Sequence, residues 1–152
     1  MKRRLLTRSE LKQRILEVIA GRKLACLATL AGKKPWVRLV MCHSEGFNIY
    51  ICTFRNSRKV SQVMKNPDVH LAISRDINDL GAPYVQIAGR AKVRHDKKIR
   101  YKLWVDFMKK YYSGPDDPGY VVIEVKPELI EYQNTELGET QVYTKKGIYV
   151  TG

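Results

Sequence analysis

The chain has 152 residues, of which 44% are hydrophobic, and a formal net charge of +13 at pH 7. This length and composition predict a single globular domain, 1–152, with its own core, and argue against disorder. No apolar run is long enough for a membrane span or a secretory signal. The three cysteines form no CxxC pair and are interpreted as reduced and mostly buried, in a cytoplasmic protein. The positive charge is compatible with an anionic ligand or with an ordinary solvated surface.

The first part of the chain predicts a helix followed by three strands. Thr7 and Glu10 have capping-box spacing, and apolar residues then recur at helical intervals as far as Gly21, which predicts an N-terminal helix within 1–22. Strands are expected at 24–30, 35–42 and 47–54, the last two joined as a hairpin. In the second of these strands the residues alternate between two faces, one with Val37, Leu39 and Met41 and the other with Trp36, Arg38, Val40 and Cys42.

The remaining chain predicts two more helices and several strands. A helix from Arg58 to Lys65 ends at Asn66 and Pro67, since the residue before proline avoids the helical region. Strands are expected at 69–74, with Val69, Leu71 and Ile73 inward, and at 84–94, with a bend or bulge at Gly89. A second amphipathic helix is predicted over 95–112, with inward side chains at Ile99, Leu103, Phe107, Met108 and Tyr111. Late strands at 120–125 and 129–132 and a C-terminal tail or hairpin at 133–152 complete a mainly β fold, a small antiparallel barrel with outer helices.

The stretch "TFRNSRKVSQVMKNP" (53–67) places cations where a strand becomes a helix. A helix N-terminus has unpaired backbone N–H groups and a partial positive charge, to which Arg58 and Lys59 add full charges and Ser57 a hydroxyl group. This combination predicts a phosphate site. The alternative is an ordinary N-cap with solvated cations. Arg38 would reach the same anion if its strand lies beside the strand that ends at Thr53.

The order of these segments resembles the FMN-binding split barrels related to pyridoxamine 5′-phosphate oxidase. The resemblance covers most of the chain from 24 to 132, and its most specific part is the strand-to-helix block just quoted. The sequence of the turn "GPDDP" (114–118) resembles that of the general-stress-protein branch of the family. The resemblance implies a six-stranded antiparallel split β-barrel with FMN, and a homodimer with the flavin at the subunit interface.

The same resemblance assigns the cofactor residues. It implies that Arg38, Ser57, Arg58 and Lys59 hold the phosphate. It also implies that the backbone of Leu39, Val40 and Met41 edges the isoalloxazine ring. It places Cys52 and Thr53 along the flavin and its ribityl chain. The implied activity is that of an FMN-dependent oxidoreductase whose substrate and catalytic residues are unknown.

The chain also departs from the oxidases. His43 stands where they have a lysine that contacts flavin and substrate, and it is either a donor to a flavin carbonyl or an exposed hairpin residue. The C-terminal Arg-x-His pair that grips their substrate is absent from "TKKGIYVTG". True pyridoxamine-phosphate oxidation is therefore not expected.

Two other functions stay open at this stage. A deazaflavin is an alternative to FMN, because related split barrels bind one and the positive charge suits a polyanionic tail. A nucleic-acid-binding protein that uses "KRRLLTR" and "RAKVRHDKKIRYK" is less favoured, because these cations are interleaved with apolar helix positions and not with a stacking aromatic platform. No metal-ligand spacing connects the histidines with the cysteines.

Overall fold

Strands dominate the computed structural model of the protein, which describes residues 4–134 and 140–151. The helices are α1 (Arg8–Ile19), α2 (Arg58–Lys65) and α3 (Lys97–Leu103), and a short 3-10 helix follows at Asp106–Lys110. The strands are β1 (Gly21–Ala31), β2 (Lys34–Glu45), β3 (Asn48–Phe54), β4 (Asp68–Ser74), β5 (Tyr84–Arg94), β6 (Tyr120–Gln133), β7 (Thr140–Thr144) and β8 (Gly147–Thr151). None of the helices within the described residues is long and apolar enough to cross a membrane.

Six of these strands close into a barrel. The sheet order is β3-β2-β1-β4-β5-β6-β7-β8, and β3 also pairs with β6, so that the first six strands form a ring. Every pairing is antiparallel. Strands β7 and β8 form a hairpin that extends the sheet beyond β6. The predicted six-stranded antiparallel split barrel with outer helices is thus confirmed.

Helix α1 begins at the predicted capping box. The Thr7 hydroxyl accepts a hydrogen bond from the Glu10 backbone N–H, and the Glu10 carboxylate accepts one from the Thr7 backbone N–H. The helix is shorter than the 1–22 segment. It ends at Ile19, and Gly21, with φ of 73°, already opens β1. Its apolar face lies in the main core with the inward residues of the barrel, among them Leu71.

Strand β2 buries the face that carries Arg38. Val40 and Cys42 are buried, whereas Leu39 is 63% exposed and Val37 and Met41 are similarly exposed. In β4 the inward residues are Val69, Leu71 and Ile73, as predicted from the alternation. An uncovered apolar row therefore runs along the outer side of β2.

The prediction of two separate late strands was wrong. The strands expected at 120–125 and 129–132 are one strand, β6, which changes register opposite Gly89. A proline, Pro127, sits at this shift, where no regular ladder donor is needed. A Cβ on Gly89 would lie 2.7 Å from the Lys126 carbonyl oxygen, so glycine allows the two strands to approach.

The helix predicted over 95–112 is broken in the middle. Trp104 and Val105 are extended and separate α3 from the 3-10 helix. The break lets Trp104 pack against Tyr112 and Tyr120, at 6.4 and 5.8 Å between ring centroids. Phe107 and Tyr111, expected to point inward, are exposed. Aromatic packing thus outweighs a weak local helix preference at Trp104 and Val105.

Candidate functional site

Arg38 is anchored where β1, β2 and α2 meet. Its Nη1 donates to Thr29 Oγ1 and its Nη2 donates to Gln62 Oε1, each at 2.6 Å. A further bond runs from Nη1 to the Trp36 carbonyl oxygen at 3.0 Å. All of these acceptors are neutral. The guanidinium is therefore fixed in place while its positive charge stays uncompensated.

Arg58 and Lys59, the first two residues of α2, lie close to Arg38. Burial, and then the charge of Arg58, lower the pKa of Arg38, and burial, and then the charge of Arg38, lower the pKa of Lys59. Among the described residues no carboxylate lies within ion-pair distance of these three side chains. The Arg58 guanidinium carbon lies 5.8 Å from the centre of the Trp36 ring. Such a group of mutually repelling cations favours a bound anion.

The Ser57 hydroxyl group is not used by the helix that it precedes. Ser57 is the N-cap of α2 with extended backbone, but its side chain makes no capping hydrogen bond. Its Oγ lies 3.4 Å from Thr53 Oγ1 at the end of β3. The hydroxyl group and the N-terminus of α2 thus remain available to donate hydrogen bonds, and the three cations lack an anion among the described residues. A phosphate group would accept these bonds and supply the negative charge.

A cavity of about 290 Å³ lies beside these cations. Its wall includes six of the nine residues that were predicted to bind the cofactor: Leu39, Val40, Met41, Cys52, Thr53 and Lys59. Arg38, Ser57 and Arg58 do not line it. Because Lys59 belongs to the wall and is also electrostatically coupled to Arg38, it links the cavity to the cationic group.

Much of the remaining wall was missed by the sequence analysis. Five residues after α3 line it: Val105, Phe107, Met108, Tyr111 and Tyr112. Phe54 from β3 joins them, 4.8 Å from Tyr112 and 6.3 Å from Tyr111 between ring centroids. The density of aromatic residues in "WVDFMKKYY" is the signal that pointed to this wall, but the helical interpretation directed these side chains to the core. The cavity has one face rich in aromatic rings, which suits a flat ligand.

Two groups at the cavity wall, Cys52 and Tyr112, are held in their neutral forms. Burial raises the pKa of the Cys52 thiol, whose Sγ lies 3.5 Å from the Tyr120 hydroxyl group. Burial also raises the pKa of Tyr112 to about 12. Both side chains are therefore protonated near neutral pH, and Cys52 is not a thiolate nucleophile.

His43 lies on the cavity wall and is not a freely exposed hairpin residue. Its Nε2 lies 3.7 Å from Glu45 Oε1, and Glu45 Oε2 lies 2.6 Å from Lys102 Nζ. Lys102 lowers the pKa of Glu45, so this carboxylate is ionised at neutral pH. Nδ1 of His43 is buried without a hydrogen-bond partner. His70, on the other hand, is exposed on β4.

Comparisons with known proteins show which family the chain resembles. A family model described as pyridoxamine 5′-phosphate oxidase matches residues 11–134. General stress protein 26 of Bacillus subtilis (strain 168) is 31% identical over 129 residues, which cover 85% of this chain and 92% of that protein.

Solved structures show the same fold. The crystal structure of general stress protein 26 from Bacillus anthracis str. Sterne has a TM-score of 0.72 and 31% identity, covering 80% of this chain and 92% of that chain. An F420 reductase, at 17% identity and a TM-score of 0.60, covers 76% and 94% of the two chains and shares the fold alone. From the matched family model and the close relatives, the chain belongs to the pyridoxamine 5′-phosphate oxidase family, in its general-stress-protein branch.

Proposed function

We propose that the protein is an FMN-dependent oxidoreductase that is active as a homodimer. One observation carries this proposal. Three cations without a carboxylate partner in the described chain, Arg38, Arg58 and Lys59, adjoin a cavity with apolar and aromatic walls. FMN has two parts that fit this arrangement, a phosphate dianion and a flat, largely apolar ring system.

The residues divide between these two parts of the cofactor. Arg38, Arg58 and Lys59 would bind the phosphate together with the Ser57 hydroxyl group and the N-terminus of α2. Residues 39–41 and 52–53 would line the ring and the ribityl chain, with the aromatic wall around Tyr112 on the other side. When bound, FMN supplies the redox chemistry, and the protein supplies position and polarity. The neutral Cys52 and Tyr112 keep the surroundings of the ring free of negative charge.

A second subunit would complete the site. A cavity of about 290 Å³ falls at the lower end of the range of roughly 300–1,000 Å³ that encloses a small-molecule ligand. The exposed apolar row Val37, Leu39 and Met41 begins at this cavity, and Phe107 and Tyr111 add exposed aromatic surface on its other side. Apolar surface of this extent favours an interface. We infer that a second copy covers the row and the open side of the flavin.

A deazaflavin is the second candidate cofactor. The similarity in fold to an F420 reductase is compatible with it, and Arg22 adds another cation on the cavity wall. Because a deazaflavin cofactor with a polyanionic tail needs more cations than FMN does, Arg22 is the residue that would distinguish the two. Replacing Arg22 with alanine should weaken a tailed deazaflavin more than FMN.

The test compares FMN with riboflavin, which lacks the phosphate. Each charge-assisted contact contributes on the order of 1.5–3 kcal/mol. The double variant R58A/K59A should therefore bind FMN at least about a hundredfold more weakly, with little change for riboflavin, in titrations followed by flavin fluorescence. Lys65→Ala, at the far end of the same helix, is the control. An equal loss for both ligands would overturn the phosphate assignment.

A further inference from the structure

A second cavity, of about 210 Å³, lies between α1, the β2–β3 hairpin, the bend of β6 and β7. It shares no lining residue with the cavity of about 290 Å³ that is proposed to bind FMN (the flavin cavity). Its wall combines aromatic side chains with cations: Phe47, Tyr143, Arg8, Lys126 and Lys145. Glu128 is the one carboxylate among the described residues of this wall.

The aromatic residues form a platform that the sequence did not reveal. The rings of Phe47 and Tyr143 lie 5.2 Å apart between centroids, at 36° to each other. The Arg8 guanidinium carbon lies 4.2 Å from the centre of the Tyr143 ring, and Lys12 Nζ lies 5.9 Å from the centre of the Phe47 ring. Each ring thus has a cation beside it, the pairing that proteins use to stack and neutralise nucleic acid.

The platform is held firmly to the barrel. Arg8 Nη1 donates to the Thr144 carbonyl oxygen at 2.8 Å, which fixes the guanidinium beside Tyr143. The buried amide of Gln141 bonds both the backbone N–H and the carbonyl of Leu6, each at 3.0 Å. These bonds dock the segment before α1 onto β7, so the basic start of α1 and the aromatic rings keep a fixed relation.

Most of the cations here lack a carboxylate partner among the described residues, although Arg8 is already bound to the Thr144 carbonyl oxygen. Within the described residues Arg8, Lys12 and Lys145 have no carboxylate at ion-pair distance, and Lys126 approaches Glu124 only at 3.8 Å. The cavity is smaller than the roughly 300–1,000 Å³ that encloses a whole small-molecule ligand. It therefore suits a ligand that places one flat ring inside and its negative charge on the cationic rim.

We propose that this cavity is a nucleotide-binding site that takes a single base of a single-stranded nucleic acid. The base would stack on Phe47 and Tyr143, and the neighbouring phosphates would contact Lys12, Lys126 and Lys145. The site is separate from the proposed flavin site. Binding of phosphates at its rim would account for part of the net charge of +13. A free nucleotide has the same chemistry, but it presents fewer phosphates to the rim.

The test is fluorescence anisotropy of a labelled single strand of about 12 nucleotides, a length within the range that one small domain covers. Lys145→Glu should weaken binding by about tenfold or more, since it removes a phosphate contact and adds repulsion. Lys33→Glu is the matched control, because it makes the same charge change in the β1–β2 turn, outside the cavity. Phe47→Leu, which keeps an apolar side chain but removes the stacking ring, should also weaken binding by about fivefold or more.

Further arms separate the possible sources of the signal. R58A/K59A should retain full binding of the strand, and excess FMN should not displace it, because the flavin cavity is a different site. Mononucleotides should compete only at much higher concentration than the strand. A mononucleotide that competes as strongly as the strand would show that the site serves free nucleotides instead.

Three further results would overturn the proposal. One is the absence of binding at about 50 mM salt, where phosphate contacts are strong. Another is an equal loss for Lys145→Glu and Lys33→Glu, which would mean that only net charge matters. The third is a loss in R58A/K59A, which would place the strand on the cations assigned to the flavin phosphate. Circular dichroism of each variant checks that a loss of binding is not a loss of fold.

Discussion

Arg38 Nη2 and Gln62 Oε1 are joined by a 2.6 Å hydrogen bond that ties β2 to the outer helix α2. The same Gln62 oxygen accepts a bond from the Thr29 hydroxyl group, also at 2.6 Å. A neutral amide thus positions the arginine without cancelling its charge. The geometry of the proposed phosphate site depends on a residue that does not line the flavin cavity.

Gln62→Glu should separate the contribution of this contact to the stability of the fold from its contribution to FMN affinity. The new carboxylate would pair with Arg38, so the urea midpoint should not fall. The pair would neutralise the cation, however, and repel the phosphate, so FMN affinity should fall by about tenfold or more with little change for riboflavin. Gln62→Leu is the comparison. It removes an acceptor and should destabilise the fold by about 1 kcal/mol.

Leu39→Glu should disrupt the proposed dimer. A charge in the middle of the exposed apolar row would be buried against the second subunit without a partner. Light scattering should give a mass near the 17.6 kDa of one chain, with weaker FMN binding. Leu5→Glu, an equally sized change at an exposed leucine outside β2, should leave the mass at about twice this value. A wild-type monomer that retains FMN would contradict the proposal.

Pyridoxamine 5′-phosphate should not be oxidised by the FMN-loaded protein. A second phosphate dianion needs its own set of fixed donors, and Arg38, Arg58 and Lys59 are assigned to the FMN phosphate in the proposed function. No described residue of β7 or β8 lines the cavity of the same chain, and their sequence lacks the donor pair of the oxidases. His43→Lys alone should therefore not create the activity. Pyridoxal phosphate formation at roughly 1 per second or more would contradict this prediction.

Acid should weaken the fold partly through Asp96. Its hydrogen bonds with Arg94, at 2.9 Å, lower its pKa from the ordinary 3.8 in the folded state. The unfolded chain then binds the proton more readily, so this stabilisation is present above about pH 4 and is lost as the pH falls through the lower folded pKa. Asp96→Asn retains an N-cap acceptor but loses the charge.

For this partly exposed pair Asp96→Asn should cost about 0.5–1 kcal/mol in urea unfolding at pH 7, and the difference should shrink toward pH 3. Asp106→Asn, at a carboxylate whose side chain is 92% exposed, is the control and should change the midpoint much less. A difference for Asp96→Asn that stays constant down to pH 3 would rule out the charge as its cause.

Features that depend on neighbours in the sequence could be predicted from the sequence. Backbone constraints that act within a few residues explain four of these features: the Thr7 and Glu10 capping box, the end of α2 before Pro67, the alternation in β4 and the register shift at Gly89. The cationic start of α2 belongs to the same class. Because its order of residue types is specific, it also indicates the family.

Only the tertiary structure decided which distant residues meet. It selected the buried face of β2, broke the chain between Trp104 and Val105, and brought the residues after α3 to the flavin cavity. It also brought Tyr143 from the C-terminal hairpin next to Phe47 and Arg8. The free energies of these contacts come from burial and packing between segments far apart in the chain, and they depend on strand register. Local sequence patterns therefore specify α1, α2 and most of the strands, whereas closure of the barrel specifies the two cavities.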